Sequence, residues 1–219
     1  MLWGNTSEVS AVYDDGRVVL RHGHVLDELR AMPAESVHAV CTSPPFWGLR
    51  DYQVEPQVWG GDTACAWRGA LGLESTPELY VEHLVEVFRE VRRVLRGDGT
   101  CWLNLGDCYA ANRSYQVTDT KHVPVGNTKG SAVPLGLKSK DLIGVPWMVA
   151  FALRSDGWYL RAALPWLKRN PMPESTEDRP NVANEYVFLL SKSAVYFYDH
   201  VSVRRRGFSG PRDLRKMAE

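Results

Sequence analysis

The sequence predicts an α/β domain with a mostly parallel sheet and a β-hairpin late in the chain. Three observations carry that expectation. Short apolar runs alternate with segments of helical periodicity. The order strand, helix, strand calls for parallel strands joined by a crossover. The chain has 219 residues, 44% hydrophobic and 24% charged, which suits one domain with a core of its own.

The elements follow in order. Arg17 to Arg21 (RVVLR) reads as a short strand closed by Gly23. Val25, Leu26, Leu29 and Met32 share one side of a helix that Pro33 ends. Strand, helix and the next strand, Val37 to Thr42, should form a parallel pair. That second strand is apolar apart from His38, so burial on both faces is expected. Trp59 to Leu73 reads as a Gly-rich loop. Thr76 is a predicted N-cap, followed by Pro77 and Glu78, both favoured in a first helical turn. Leu84, Phe88, Val91 and Leu95 make the inward stripe, and Gly97 closes the helix. Arg89, Arg92, Arg93 and Arg96 fall in its last turns, where cations suit the helix dipole; they read as a solvated helix end, not a DNA patch.

Thr100 to Leu105 (TCWLNL) is a third strand, ending in Gly106-Asp107. Residues 112–140 show no period and are net basic, and a loop of that length is functional or disordered. Pro146 opens a helix through Ala150 and Leu153 that Gly157 stops. Tyr159–Lys168, Glu185–Lys192 and Val195–Asp199 read as strands, the last two joined by a tight turn around Ser193. A basic tail, 201–219, carries Arg204-Arg205-Arg206. There is no internal repeat, and 1–219 reads as a single domain.

Composition narrows the function classes. Lys plus Arg and Asp plus Glu both number 26, so net charge does not advertise a nucleic-acid binder, though local patches matter more than the sum. The eight Trp and nine Tyr suit a core, a stacking site or an interface. Cysteines stand at 41, 65, 101 and 108 with no C-x-x-C pair; Cys41 and Cys101 are expected to be buried thiols in a reducing cytoplasm. His22 and His24 would share a strand face, but no Cys or carboxylate stands at ligand spacing, so no metal is expected. No apolar run approaches about 18 residues, so a soluble, cytoplasmic protein is expected.

The stretch CTSPPFWGLRDY, residues 41–52, carries the chemistry. In open α/β sheets ligands bind beyond the carboxyl ends of the strands. Gly23-His24, Ser43-Pro44-Pro45-Phe46 and Gly106-Asp107 should therefore line one rim. Prolines have no N–H, which leaves nearby carbonyls outside any ladder. The Ser43 hydroxyl and the Pro44 carbonyl make a rigid acceptor pair for an NH2 group. Phe46 offers a face to a flat ring. An amine-bearing heterocycle fits, and in duplex DNA that base would have to be flipped out.

This stretch resembles the S/D/N-P-P-Y/F catalytic motif of the amino-methylating DNA methyltransferases. The Ser form is commonest among cytosine-N4 enzymes and the Asp form among adenine-N6 enzymes. LVEVFREVRRVLRGDGTCWLNLGDCYA, KDLIGVPWMVAFALRSDGWYLR and LPWLKRNPMPESTEDRPNVANEYVFLLSKS are similar to later family segments, in family order. The likeness runs from about Arg17 to Asp199. It implies a partial Rossmann-like methyltransferase sheet with the Pro-Pro motif near the N-terminus, as in permuted members. It implies direct methyl transfer from S-adenosylmethionine to the N4 amine of a flipped cytosine. Ser43 and Pro44 would accept from the amine, Pro45 would complete the motif, and Phe46 would stack on the base. Trp47 and Arg50 would contact DNA or pack the loop. Asn170 and Met172 would line the base pocket, and Gly23 and His24, where relatives carry Gly-Asp, would meet the cofactor. No Pro-Cys dipeptide occurs, so a Cys nucleophile has no candidate.

The family's Phe-x-Gly-x-Gly cofactor loop has no counterpart; Gly207-Phe208-Ser209-Gly210 is a superficial echo. The edge of the Val37–Thr42 strand should then stand open. Expected partners are DNA together with a complementing segment or subunit, or a homo-oligomer. The alternative readings are adenine-N6 methylation and a non-catalytic DNA-binding remnant.

Overall fold

The computed structural model describes residues 11–61, 63–64, 66–110 and 136–204. Cys65, residues 111–135 of the long basic loop and the tail from 205 lie outside the described residues. The elements are β1 (Ala11–Asp14), β2 (Val19–Arg21), α1 (Val25–Arg30), β3 (Val37–Thr42), β4 (Gln57–Trp59) and β5 (Trp67–Gly69). Then come α2 (Pro77–Val94), β6 (Leu95–Leu105), α3 (Val145–Ser155), β7 (Tyr159–Leu167) and β8 (Asn184–Ser191).

The main sheet has the order β3-β6-β8-β7. β3 and β6 pair in parallel, while β8 runs antiparallel to both β6 and β7. Three of the four strands thus share a direction, as the α/β reading expects, with β8 reversed between them. The late hairpin is made by β7 and β8, not by β8 and Val195–Asp199. The reason is topological. Both edges of β8 are already occupied, so the chain after Ser191 has no ladder to join. Phe197 keeps a single backbone bond, to the Asp98 carbonyl at 2.9 Å. Pro165 sits within β7, an edge strand, where a missing N–H is tolerated.

The first strand also departs from expectation. β2 pairs antiparallel with β1 in a separate ribbon and does not reach β3. An Asp14-Asp15-Gly16 turn causes this. Asp14 Oδ1 accepts from the Gly16 N–H at 2.8 Å, and Asp15 Oδ1 from those of Arg17 and Val18 at 2.9 and 2.6 Å. β3 is an edge strand among the described residues, and its residues are half-buried or exposed. Cys41, expected to be buried, is exposed for that reason. Cys101, in the sheet interior, is buried, and burial pushes its thiol up to about 12. The region 59–73 is not a plain loop, because β4 and β5 pair antiparallel inside it.

α2 starts as its sequence requires: the Thr76 side chain accepts from the Leu79 N–H at 3.2 Å, with Pro77 next. Leu84, Phe88 and Val91 are buried, together with Leu103, Phe188 and Leu190 of the sheet. The helix stops at Val94, earlier than the sequence suggested, because Leu95 turns directly into β6. Arg96 and Gly97 therefore lie in a strand. The arginines tie elements together. Arg89 bonds Asp156 beyond α3 at 2.6 Å, and Arg93 donates to the Leu29 and Met32 carbonyls at 2.7 and 3.0 Å. α3 is capped from outside: Asp107 Oδ1 accepts from Gly144 and Val145 N–H groups at 3.0 and 3.1 Å. Among the described residues no helix is long and apolar enough to cross a membrane.

Candidate active site

Ser43 follows the last residue of β3 at the rim. Its hydroxyl donates to Asn104 Oδ1 on neighbouring β6 at 3.1 Å. The Asn104 amide in turn donates to the Tyr186 carbonyl on β8 at 3.3 Å. That second bond sets which way the amide faces, so Asn104 presents its oxygen to Ser43 and the Ser43 proton is committed to it. The lone pairs of Ser43 Oγ remain as acceptors. Asn104 was not singled out in the sequence. Its signal was there: a polar residue between Leu103 and Leu105, both fully buried, one step before Gly106.

Of the two proline carbonyls, that of Pro45 accepts from the Tyr80 hydroxyl at 2.8 Å. Burial pushes the Tyr80 phenol far upward, so it stays a donor. The Pro44 carbonyl meets no hydrogen-bond donor among the described residues. Ser43 and Pro44 both line one cleft. The Phe46 ring lies against Gly106, where an added Cβ would fall 2.6 Å from Cε2. Only glycine admits the ring at this distance.

Trp47 is buried at 2% exposure, and its indole N–H donates to the Glu74 carbonyl at 3.0 Å. It packs the loop, the second of its two expected roles. Arg50 is exposed and lines a cleft of about 950 Å³. That cleft brings Gly23 and His24 together with Ser43, Pro44 and Pro45, over an apolar floor that includes Val40, Leu71, Val87 and Val91. The strand ends expected on one rim therefore do converge there for Gly23-His24 and the Pro-Pro corner. His24 lies at the N-cap of α1 and packs edge-on to Trp59 at 4.7 Å, so it does not share a strand face with His22. Burial lowers its pKa, and its buried Nε2 has no hydrogen-bond partner. Asn170 and Met172 lie in the 168–183 connection, exposed, and neither lines this cleft. Gly23-His24 and the Ser43–Pro45 corner are brought together in this cleft, whereas the Asn-Pro-Met-Pro segment is not. Among the described residues no three His, Cys, Asp or Glu side chains are grouped to hold a metal ion.

Solved structures share this α/β fold. A DNA modification methylase from Thermus thermophilus, solved with S-adenosyl-L-methionine, superposes with a TM-score of 0.51 at 20% identity, covering 82% of this chain and 55% of that one. The PvuII DNA methyltransferase, cytosine-N4-specific, gives 0.52 at 16% identity, covering 84% and 53%. At those identities the likeness is one of fold. Sequence comparison reaches further. The chain is 45% identical over 192 residues to the Type II methyltransferase M.Cfr9I of Citrobacter freundii, covering 87% of this chain and 60% of that protein. It is 44% identical over 183 residues to M.SmaI of Serratia marcescens, covering 83% and 58%. The N6/N4 DNA methylase family matches residues 37–212, and the chain belongs to that family. It spans about 60% of the length of these curated relatives.

Proposed function

We propose that this chain carries the target-base side of an S-adenosylmethionine-dependent DNA methyltransferase that modifies the N4 amine of cytosine. The observation that carries the reading is the Ser43–Asn104–Tyr186 chain, which orients Ser43 as an acceptor beside the Pro44 carbonyl. An exocyclic amine has two N–H groups to give to two acceptors. Holding both turns the nitrogen lone pair outward and stabilises the positive charge that grows on nitrogen during transfer. Phe46 stacks on the flipped base, and Arg50 contacts the DNA backbone. The Ser form of the motif favours cytosine over adenine.

S-adenosylmethionine supplies an electrophilic methyl group. The cleft fits part of such a cofactor: its apolar floor lies beside Gly23-His24, and His24 offers a buried, unpartnered Nε2. A complementing segment or subunit would supply the family's cofactor loop and cover the side of β3 that is unpaired among the described residues. An apolar edge strand left uncovered invites association, so covering it serves solubility as well.

Calorimetry with S-adenosylmethionine followed by mass spectrometry of nucleosides from treated DNA tests the proposal. N4-methylcytosine is the expected product, and methyladenine without it overturns the base assignment. Ser43→Ala should cut turnover far more than DNA binding. Equal loss of both would show that Ser43 binds DNA and does not handle the amine.

A further inference from the structure

Behind the corner lies a buried pair that the chemistry above does not use. Glu74 and His83 are 0% and 1% exposed, and His83 Nδ1 stands 3.0 Å from Glu74 Oε1. A carboxyl group buried this deeply is costly unless its lone pairs are engaged. Here they hold the backbone. Glu74 Oε2 accepts from the Gly72 N–H at 2.8 Å. The Glu74 carbonyl accepts from the Trp47 indole, and the Gly72 carbonyl accepts from the Gly48 N–H at 2.8 Å. Gly72 has φ +94°, and a Cβ there would fall 3.1 Å from the Phe46 carbonyl oxygen, so this turn presses close against the corner. From α2, Tyr80 grips the Pro45 carbonyl. His83 is stacked between Trp59 and Trp67, with centroids at 5.9 and 5.7 Å, which keeps its ring in one orientation.

Pro45, Trp47 and Gly48 are each tied to the 72–74 turn or to α2. We propose that Glu74, backed by His83, and Tyr80 are positioning residues that clamp Pro45–Gly48 from behind and so hold Ser43 and the Pro44 carbonyl in the geometry that receives an amine. An apolar side chain could fill the space of Glu74 but could not accept from Gly72. The consequence for catalysis rests on the methyltransferase reading; the clamp itself does not.

The test uses the full protein with Glu74→Ala, read in two ways. By NMR, protection of the Trp47 indole proton should fall at least about tenfold, while β6 and β8 amides keep theirs. In kinetics, kcat should fall by about a hundredfold with KM for DNA held within about twofold. Glu74→Gln keeps an acceptor for the Gly72 N–H and should recover most of the loss. If Glu74→Ala does not fold, Tyr80→Phe decides by the same readouts, with an expected kcat loss of about tenfold. Unchanged Trp47 exchange in a folded Glu74→Ala protein, or sheet amides loosening as much as the indole, overturns the clamp. So does a Tyr80→Phe enzyme with unaltered kcat and exchange. Exchange reads the clamp without methyl transfer, so an inactive wild-type protein would refute the reaction and not the clamp.

Discussion

Replacing Gly106 by Ala should damage chemistry more than stability. The α-carbon of Gly106 faces the Phe46 ring, and a methyl group there would lie 2.6 Å from Cε2 and 2.8 Å from Cδ2. Carbon atoms rest at about 3.5–4.0 Å, so the ring must retreat by about 1 Å. The ring is the far end of a side chain that is only half-buried, and it can give way. Overpacking of this kind costs about 1–2 kcal/mol. The same ring is the proposed stacking face for the target base, and a displacement of about 1 Å there can slow the reaction about a hundredfold. Urea unfolding measures the first effect, and single-turnover methylation of a short duplex measures the second. Gly97→Ala serves as the control, since nothing lies within 4 Å of a Cβ at that position. A Gly106→Ala protein that methylates at the wild-type rate would refute the argument that Phe46 must keep its place.

Asn104→Ala releases the Ser43 proton, and single-turnover rates should fall by about tenfold to a hundredfold with DNA affinity kept. A parallel loss of affinity would count against Asn104 acting through Ser43. Asp107 predicts a pH effect. Burial pushes its carboxyl above the ordinary value of 3.8, against the downward pull of the Cys108, Val145 and Gly144 N–H groups. A raised folded value means that its share of stability is fully present below the unfolded pKa and is lost as pH rises through the folded one. Asp107→Asn keeps an acceptor for α3 but removes that dependence. On going from about pH 4 to about pH 7 the urea midpoint of the variant should therefore move upward relative to that of the wild type, because the loss tied to Asp107 is gone. An equal difference in the two proteins would assign the slope to another group.

Much of this protein was legible in local sequence. The Thr76-Pro77-Glu78 start of α2 was readable because a cap acts within one turn. The Ser43–Phe46 corner was readable because two adjacent prolines constrain their own backbone whatever surrounds them. The apolar stripe of α2 was readable because burial follows helical period. The sequence alone thereby determined the α/β class, the family resemblance and the place of the Ser-Pro-Pro-Phe corner at a strand end.

Only the tertiary structure decided the partners. Asn104 lies 61 residues from Ser43, and Tyr186 lies 82 beyond Asn104, so no local pattern could join them. Strand pairing is likewise a competition among distant segments. β2 pairs with β1 across the Asp-Asp-Gly turn and not with β3. β8 took its place between β6 and β7 and left 195–199 without an edge. Trp47 could equally have faced DNA or the core until the Glu74 carbonyl supplied an acceptor for its indole. Propensity and capping act over one turn of chain, whereas pairing and burial depend on which surfaces meet after collapse, and that is a property of the whole fold.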